Sequence, residues 1–199
     1  MVDAGTPGEH AAVTTRRNPS QPQLAPAAVR LFQVNEEINQ LLIAHLDPAV
    51  WTAKVQGPSK GAVRTIAAIF AHMHNVRSKW IRLSAPQLKV PAQLRRTDCT
   101  PDVASASLAE SGALCAEMLA GALDGSGCVK AFLRDGWAQP WKAGPEMLCY
   151  MVAHEAHHRG QVCMLAHQLG FPLPAKITSR MWSWERLGKQ PFPGSSQDR

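Results

Sequence analysis

Four stretches of this 199-residue chain repeat their apolar side chains at the 3.6-residue period of an α-helix, and no stretch alternates convincingly at the two-residue period of a strand. Amphipathic helices must bury their stripes against one another, so the pattern leaves few folds open. The first stretch begins near Pro26, carries Val29, Phe32, Ile38, Leu41, Leu42 and Leu46, and stops at Asp47-Pro48. A connector from Trp51 to Gly61 follows. The second stretch runs from about Val63 to Leu83 through Ile66, Ile69, Phe70, Met73, Val76, Trp80 and Ile81. After a Pro-containing loop, Thr100-Pro101-Asp102 starts the third, since proline in the first helical turn loses no hydrogen bond. It continues through Val103, Leu108, Leu114, Met118 and Leu119 to about Leu123. The connector from Asp124 to Trp141 has room for one short irregular or extended piece. The fourth helix opens at Gly144-Pro145 and ends abruptly at Gly170-Phe171-Pro172-Leu173-Pro174. A short helix around Ser179 to Leu187, containing Trp182 and Trp184, completes the pattern. The expected fold is all-α, an up-down four-helix bundle with long connections and a short C-terminal helix.

Residues 1–24 are rich in Gly, Ala, Thr, Pro and Gln without periodicity and read as a disordered arm. Residues 25–188 form one bundle domain, and 189–199 a frayed polar tail. The net charge is +6, yet its short basic runs, Arg16-Arg17 and Arg95-Arg96, form no long stripe with aromatic interleaving. No nucleic-acid partner is expected. No run reaches 18 apolar residues, so no membrane partner is expected either. The five cysteines are odd in number and widely spaced, with no Cys-x-x-Cys pair and no secretory segment ahead of them. A reducing, cytoplasmic setting follows, with Cys149 and Cys163 serving as small buried hydrophobes.

Within the fourth helix stands His154-Glu155-Ala156-His157-His158-Arg159-Gly160-Gln161. At about 100° per residue, His154 and His158 fall roughly 40° apart on one face, while His157 lies near the edge of the stripe. Two imidazoles one turn apart can point at a single ion, a spacing divalent metals often use. Met147, Met151, Leu165 and Leu169 share their stripe, so the pair faces the core. A single histidine there would be an ordinary core residue, but two each need a partner. A third ligand is required, and the second helix offers His72 or His74, which its periodicity does not separate. His10, His45 and His167 fit less well. Glu155 lies off the metal stripe and suits a bond to a histidine or a neighbouring helix. Gly160 costs about 1 kcal/mol relative to alanine inside a helix, which suggests close helix packing. Arg159 and Gln161 suit helix packing or hydrogen bonds behind the ligands.

His154-Glu155-x-x-His158 also matches the zincin peptidase pattern, in which glutamate is general base to a zinc-bound water. The extended form would need Gly at 161 and His at 164, where this chain has Gln161 and Met164. Glu185 is the one downstream glutamate available as an alternative third ligand, and such peptidases use a sheet edge that this pattern lacks.

A resemblance over Pro26 to Leu187 is more specific. Ile69-Phe70-Ala71-His72 followed by Arg77 and Trp80, the His-x-x-x-His-Arg-Gly-Gln run and Trp182-x-Trp184 together resemble the DinB-like family of bacterial four-helix-bundle metalloproteins. The resemblance selects His72 over His74, with Trp80 packed close to it. It implies a site of His72, His154 and His158 holding a divalent ion, zinc or nickel, with open positions for water or a small-molecule substrate. It further implies a metal-dependent enzyme, an S-transferase using a low-molecular-weight thiol such as bacillithiol or mycothiol, or a hydrolase-like protein. The alternative is a non-catalytic metal-binding stress-response or interaction protein. No catalytic side chain is assigned, and a homodimer is the expected assembly.

Overall fold

A computed structural model describes residues 24–55, 64–136 and 139–189. The expected arm over 1–24 lies, but for Leu24, outside the described residues, as does the tail beyond Lys189. Helix α1 spans Leu24–His45, α2 Ile66–Ser84, α3 Pro101–Leu123, α4 Pro145–Gln168 and α5 Ala175–Arg180. The fold is an all-α bundle. No described helix is long and apolar enough to cross a membrane.

Local chemistry sets the boundaries. Asp47 accepts a hydrogen bond from Ala49 N at 2.8 Å and starts a single 3-10 turn at Pro48–Val50, which ends α1 where Asp47-Pro48 was expected to. Thr65 Oγ1 caps α2 by accepting from Ala68 N, and Thr100 Oγ1 caps α3 by accepting from Val103 N. At the end of α4, Gly170 takes a left-handed φ of 87°. Phe171 N then donates to Ala166 O and Gly170 N to His167 O, each at 3.0 Å, closing the helix with a Schellman pair.

The connector before α4 holds two strands of two residues each rather than one extended piece. These are β1 (Ala131–Phe132) and β2 (Trp141–Lys142), antiparallel with Phe132 opposite Trp141. Phe132 is buried against Trp80 and Tyr150. The C-terminal helix also differs from expectation. It covers Ala175–Arg180, and Trp182 and Trp184 lie beyond it in turns, exposed. The capping that matters is Pro174, whose fixed φ leads into a helix and whose carbonyl accepts from Ile177 N at 2.8 Å.

The apolar core comes in two halves. One gathers Leu42, Trp51, Ile69, Phe70, Met73, Leu108 and Val162. The other gathers Phe32, Trp80, Ile81, Cys115, Met118, Met147 and Met151. The order in which each helix visits these halves fixes its direction. Helix α1 runs from the Phe32 half to the Leu42 half and α2 runs back. Residues 85–100 then carry the chain along the bundle, so α3 runs parallel to α2, and α4 returns parallel to α1. Alternation holds within α1–α2 and α3–α4 but not across the long connection. Helices α3 and α4 each pack against both α1 and α2.

Between the halves lies a buried polar layer to which every bundle helix contributes. Asn35, Glu36 and Asn39 come from α1, Arg77 from α2, Ser111 from α3, and Glu155 from α4. The metal-ligand candidates belong to this level of the bundle.

Candidate metal centre

His72 on α2 and His154 and His158 on α4 converge, each offering a ring nitrogen, with these nitrogens all within 4.8 Å of one another. The ring centroids are 5.5 Å apart for His72–His154, 4.7 Å for His72–His158 and 4.5 Å for His154–His158. The Nε2 atoms of His154 and His158 are 3.2 Å apart. Two ligands of a tetrahedral ion, each about 2.0–2.1 Å from it, are separated by about 3.3–3.4 Å, so this edge fits a shared ion. Neutral imidazole nitrogen is also the donor that zinc and nickel accept readily.

Gln161 sets the tautomer of His158. Its Oε1 can only accept, and it lies 2.8 Å from His158 Nδ1, so that nitrogen carries the hydrogen and Nε2 keeps its lone pair. His154 is held differently. Trp80 meets it edge-on at 5.3 Å between centroids, and Tyr150 stacks on it at 6.4 Å. Its Nδ1 is buried without a hydrogen-bond partner, as is Trp80 Nε1. Trp80 therefore packs against the site, though its closest site contact is on α4.

Burial keeps the three rings uncharged. It pushes His72 and His154 down to about 4 and holds His158 below the usual imidazole range. Neighbouring cations and imidazoles add to this, His158 and Arg64 acting on His72, and His158 and His72 on His154. Rings that resist protonation keep their lone pairs available to a cation.

His74, two residues from His72, points away. Its Nδ1 lies 2.9 Å from Ser107 O and 3.2 Å from Ser111 Oγ, and its Nε2 lies 2.8 Å from Ala92 O. It is a core histidine that ties α2 to α3 and to the long connection. His157 is exposed beside His158, and His45 bonds Leu41 O. His167 is exposed, and His10 lies outside the described residues.

Behind the trio, Glu155 is fully buried. Arg77 Nε donates to its Oε1 at 2.6 Å and Arg77 Nη2 to its Oε2 at 2.7 Å, while Asn35 and Asn39 donate to Oε2 at 2.6 and 2.8 Å. Burial alone would raise this carboxyl, but Arg77 and the hydrogen bonds outweigh it and hold Glu155 below the usual range. Both oxygens are held, Oε1 by Arg77 and Oε2 by Arg77, Asn35 and Asn39, so Glu155 is committed to the buried layer rather than to the base role of a zincin reaction. Glu36 is the second carboxylate on Arg77, with Oε2 2.6 Å from Nη1 in an ion pair whose angle is not that of a hydrogen bond. Nη1 donates instead to Leu108 O at 2.8 Å. Burial raises Glu36, and Arg77 only partly offsets this. Arg159 Nη1 donates to Asn35 and Asn39, completing the layer.

Two expectations on α4 are corrected. A Cβ at Gly160 would meet nothing within 4 Å, so Gly160 faces a groove rather than a neighbouring helix. Cys149 is exposed, and Cys163 is only partly buried, packed at the edge of the Leu42 half of the core. Asn35, Glu36 and Asn39 carried no signal in the sequence reading beyond their place on the stripe between Phe32 and Leu42.

Among known proteins, no curated protein and no solved structure matches the chain. The model of the DinB family matches residues 21–186. That span takes in all four bundle helices together with the C-terminal turns, and the chain belongs to the DinB family.

Proposed function

We propose that the chain is a divalent-metal-dependent enzyme acting on a small molecule, with His72, His154 and His158 as the ligands and zinc or nickel as the ion. The observation that carries this reading is the 3.2 Å approach of two Nε2 atoms whose tautomer is set, on one side, by Gln161. The ion would supply Lewis acidity, lowering the pKa of a bound water or low-molecular-weight thiol so that a nucleophile forms near neutral pH.

The chain's own residues prepare for that role. Burial keeps the three rings neutral, Gln161 directs the His158 lone pair inward, and Trp80 and Tyr150 fix the plane of His154. Arg77 and Glu155 lock α2 to α4 and so fix His72 relative to the other two. The group has three members among the described residues, which leaves a four-coordinate ion one position for a ligand from solution. Of the reactions open to it, thiol S-transfer suits this arrangement better than hydrolysis, since the carboxylate next to His154, Glu155, is tied to Arg77, Asn35 and Asn39.

The test is a screen for thiol transfer to electrophiles and for ester or amide hydrolysis, run with zinc-loaded, nickel-loaded and chelator-treated protein. Turnover that appears with metal and disappears in the His154→Ala variant is the expected result. Equal turnover in chelator-treated protein would overturn the reading.

A further inference from the structure

Outside the three imidazoles, the charged groups around the site are nearly all cations. Arg64, Lys79 and Arg134 lie close enough to act on His72, and Arg64 also reaches His158. Among the described residues, the carboxylate on this rim is that of Asp135, engaged with Lys79 at 2.9 Å and Arg82 at 3.4 Å. Glu155 acts from the buried side and is neutralised by Arg77. Arg64 makes no ion pair among the described residues, and neither does Arg96.

Two open grooves meet at Arg64. One, of about 730 Å³, has Gln161, the bare Gly160 and Ala156 on its α4 side, with Ile69, Met164 and Leu165 as apolar wall. The other, of about 410 Å³, has His72 in its lining together with Lys79 and Arg96. Arg64 thus lines both grooves, sharing the smaller one with His72 and the larger one with Gln161, the hydrogen-bond partner of His158, and its charge is unspent. Three neutral ligands would leave the ion's own charge uncompensated as well.

We infer that the substrate of this site carries a fixed anionic group, a carboxylate, sulfonate or phosphate, that Arg64 binds while the reacting end faces His72, His154 and His158. The carbon skeleton between the two ends lies along the groove that Arg64 shares with His72, past Ala68, Ala71 and Val76. An arginine is suited to this role because its planar fork of donors matches such oxyanions in pairs. The inference rests on the metal-dependent reading above and adds the substrate's charge class to it.

Full-length protein loaded with cobalt(II) tests it, titrated with three thiols of equal length and followed by the visible cobalt spectrum. Mercaptoethanesulfonate is the anionic probe, mercaptoethanol the neutral one and aminoethanethiol the cationic one. The expected order is anionic, then neutral, then cationic, with the first two separated by about tenfold, the size of one partly solvated charge pair. Arg64→Gln should erase about that tenfold preference, change mercaptoethanol affinity by less than about twofold, and leave the cobalt stoichiometry as it was. Cobalt bound with no charge preference, with no response to any thiol, or with a preference that survives Arg64→Gln overturns this inference alone. Failure to take up cobalt would overturn the metal-dependent reading and this inference with it.

Discussion

Arg77 and Glu155 form a two-pronged ion pair without solvent contact, Nε to Oε1 at 2.6 Å and Nη2 to Oε2 at 2.7 Å. Glu155 follows His154 directly on α4, and Arg77 lies on α2 beyond His72. The pair therefore clamps together the two helices that carry His72, His154 and His158. Removing one member leaves its partner buried and unpaired, which costs far more than the intact pair contributes.

Arg77→Met should accordingly lower the stability of the metal-free protein by about 3–5 kcal/mol, because Glu155 and Glu36 lose their shared cation. Urea unfolding followed by circular dichroism measures this. A loss below about 1 kcal/mol would mean that the layer relaxes or admits water.

Gly160→Ala should move stability the other way, by about 1 kcal/mol upward. The backbone there is helical and a Cβ has open space, so alanine gains helix propensity without a clash. Thermal unfolding checks it, and a lower melting temperature would show that the groove side of α4 is more crowded than the geometry indicates.

Gln161→Leu should weaken zinc affinity by about 10- to 100-fold while leaving the fold intact. Leucine cannot accept from His158 Nδ1, so nothing selects the tautomer with its lone pair on Nε2. Competition titration against a chromophoric chelator gives the affinity. An unchanged value would place Gln161 outside the machinery of the site.

Acid should destabilise the metal-free protein through the histidines. His72 and His154 are held at about 4 in the fold, against 6.5 for an unperturbed ring. Between those values the unfolded chain binds more protons than the folded one, so stability falls as pH drops from about 6.5 to about 4 and is independent of these rings above that window. Glu36, raised in the fold, acts with the opposite sign, so the comparison is made against a His72→Gln/His154→Gln variant that retains it. The variant should lose less stability over the window than the parent protein. Parallel curves would contradict the burial of the two rings.

Much of this arrangement is written into the sequence, and the omissions have physical causes. The His154–His158 spacing places both rings on one face of α4, and Asp47-Pro48, Thr100-Pro101 and Gly170 mark helix ends because each acts through local backbone geometry. Periodicity leaves His72 and His74 equivalent, since both are turned away from solvent to some degree. What separates them is tertiary: His74 finds Ser107 O and Ala92 O, whereas His72 finds α4. The parallel course of α2 and α3 is invisible because a connection as long as residues 85–100 can return the chain to either end of the bundle. The polar layer is hidden for a related reason. Asn35, Glu36 and Asn39 interrupt the α1 stripe without naming a partner, because Arg77, Glu155 and Arg159 reach them from other helices. Gly160 misleads in its own way, since a glycine in a helix can mark an open groove as well as a tight crossing.

The most direct measurement is the metal content of purified protein after saturation with zinc and gel filtration, compared among single alanine variants. The parent chain, His74→Ala and His157→Ala should each retain one equivalent, while His72→Ala, His154→Ala and His158→Ala should each lose it. A full equivalent retained by the His154→Ala/His158→Ala double variant, or lost in a folded His74→Ala protein, would contradict the assignment of the centre.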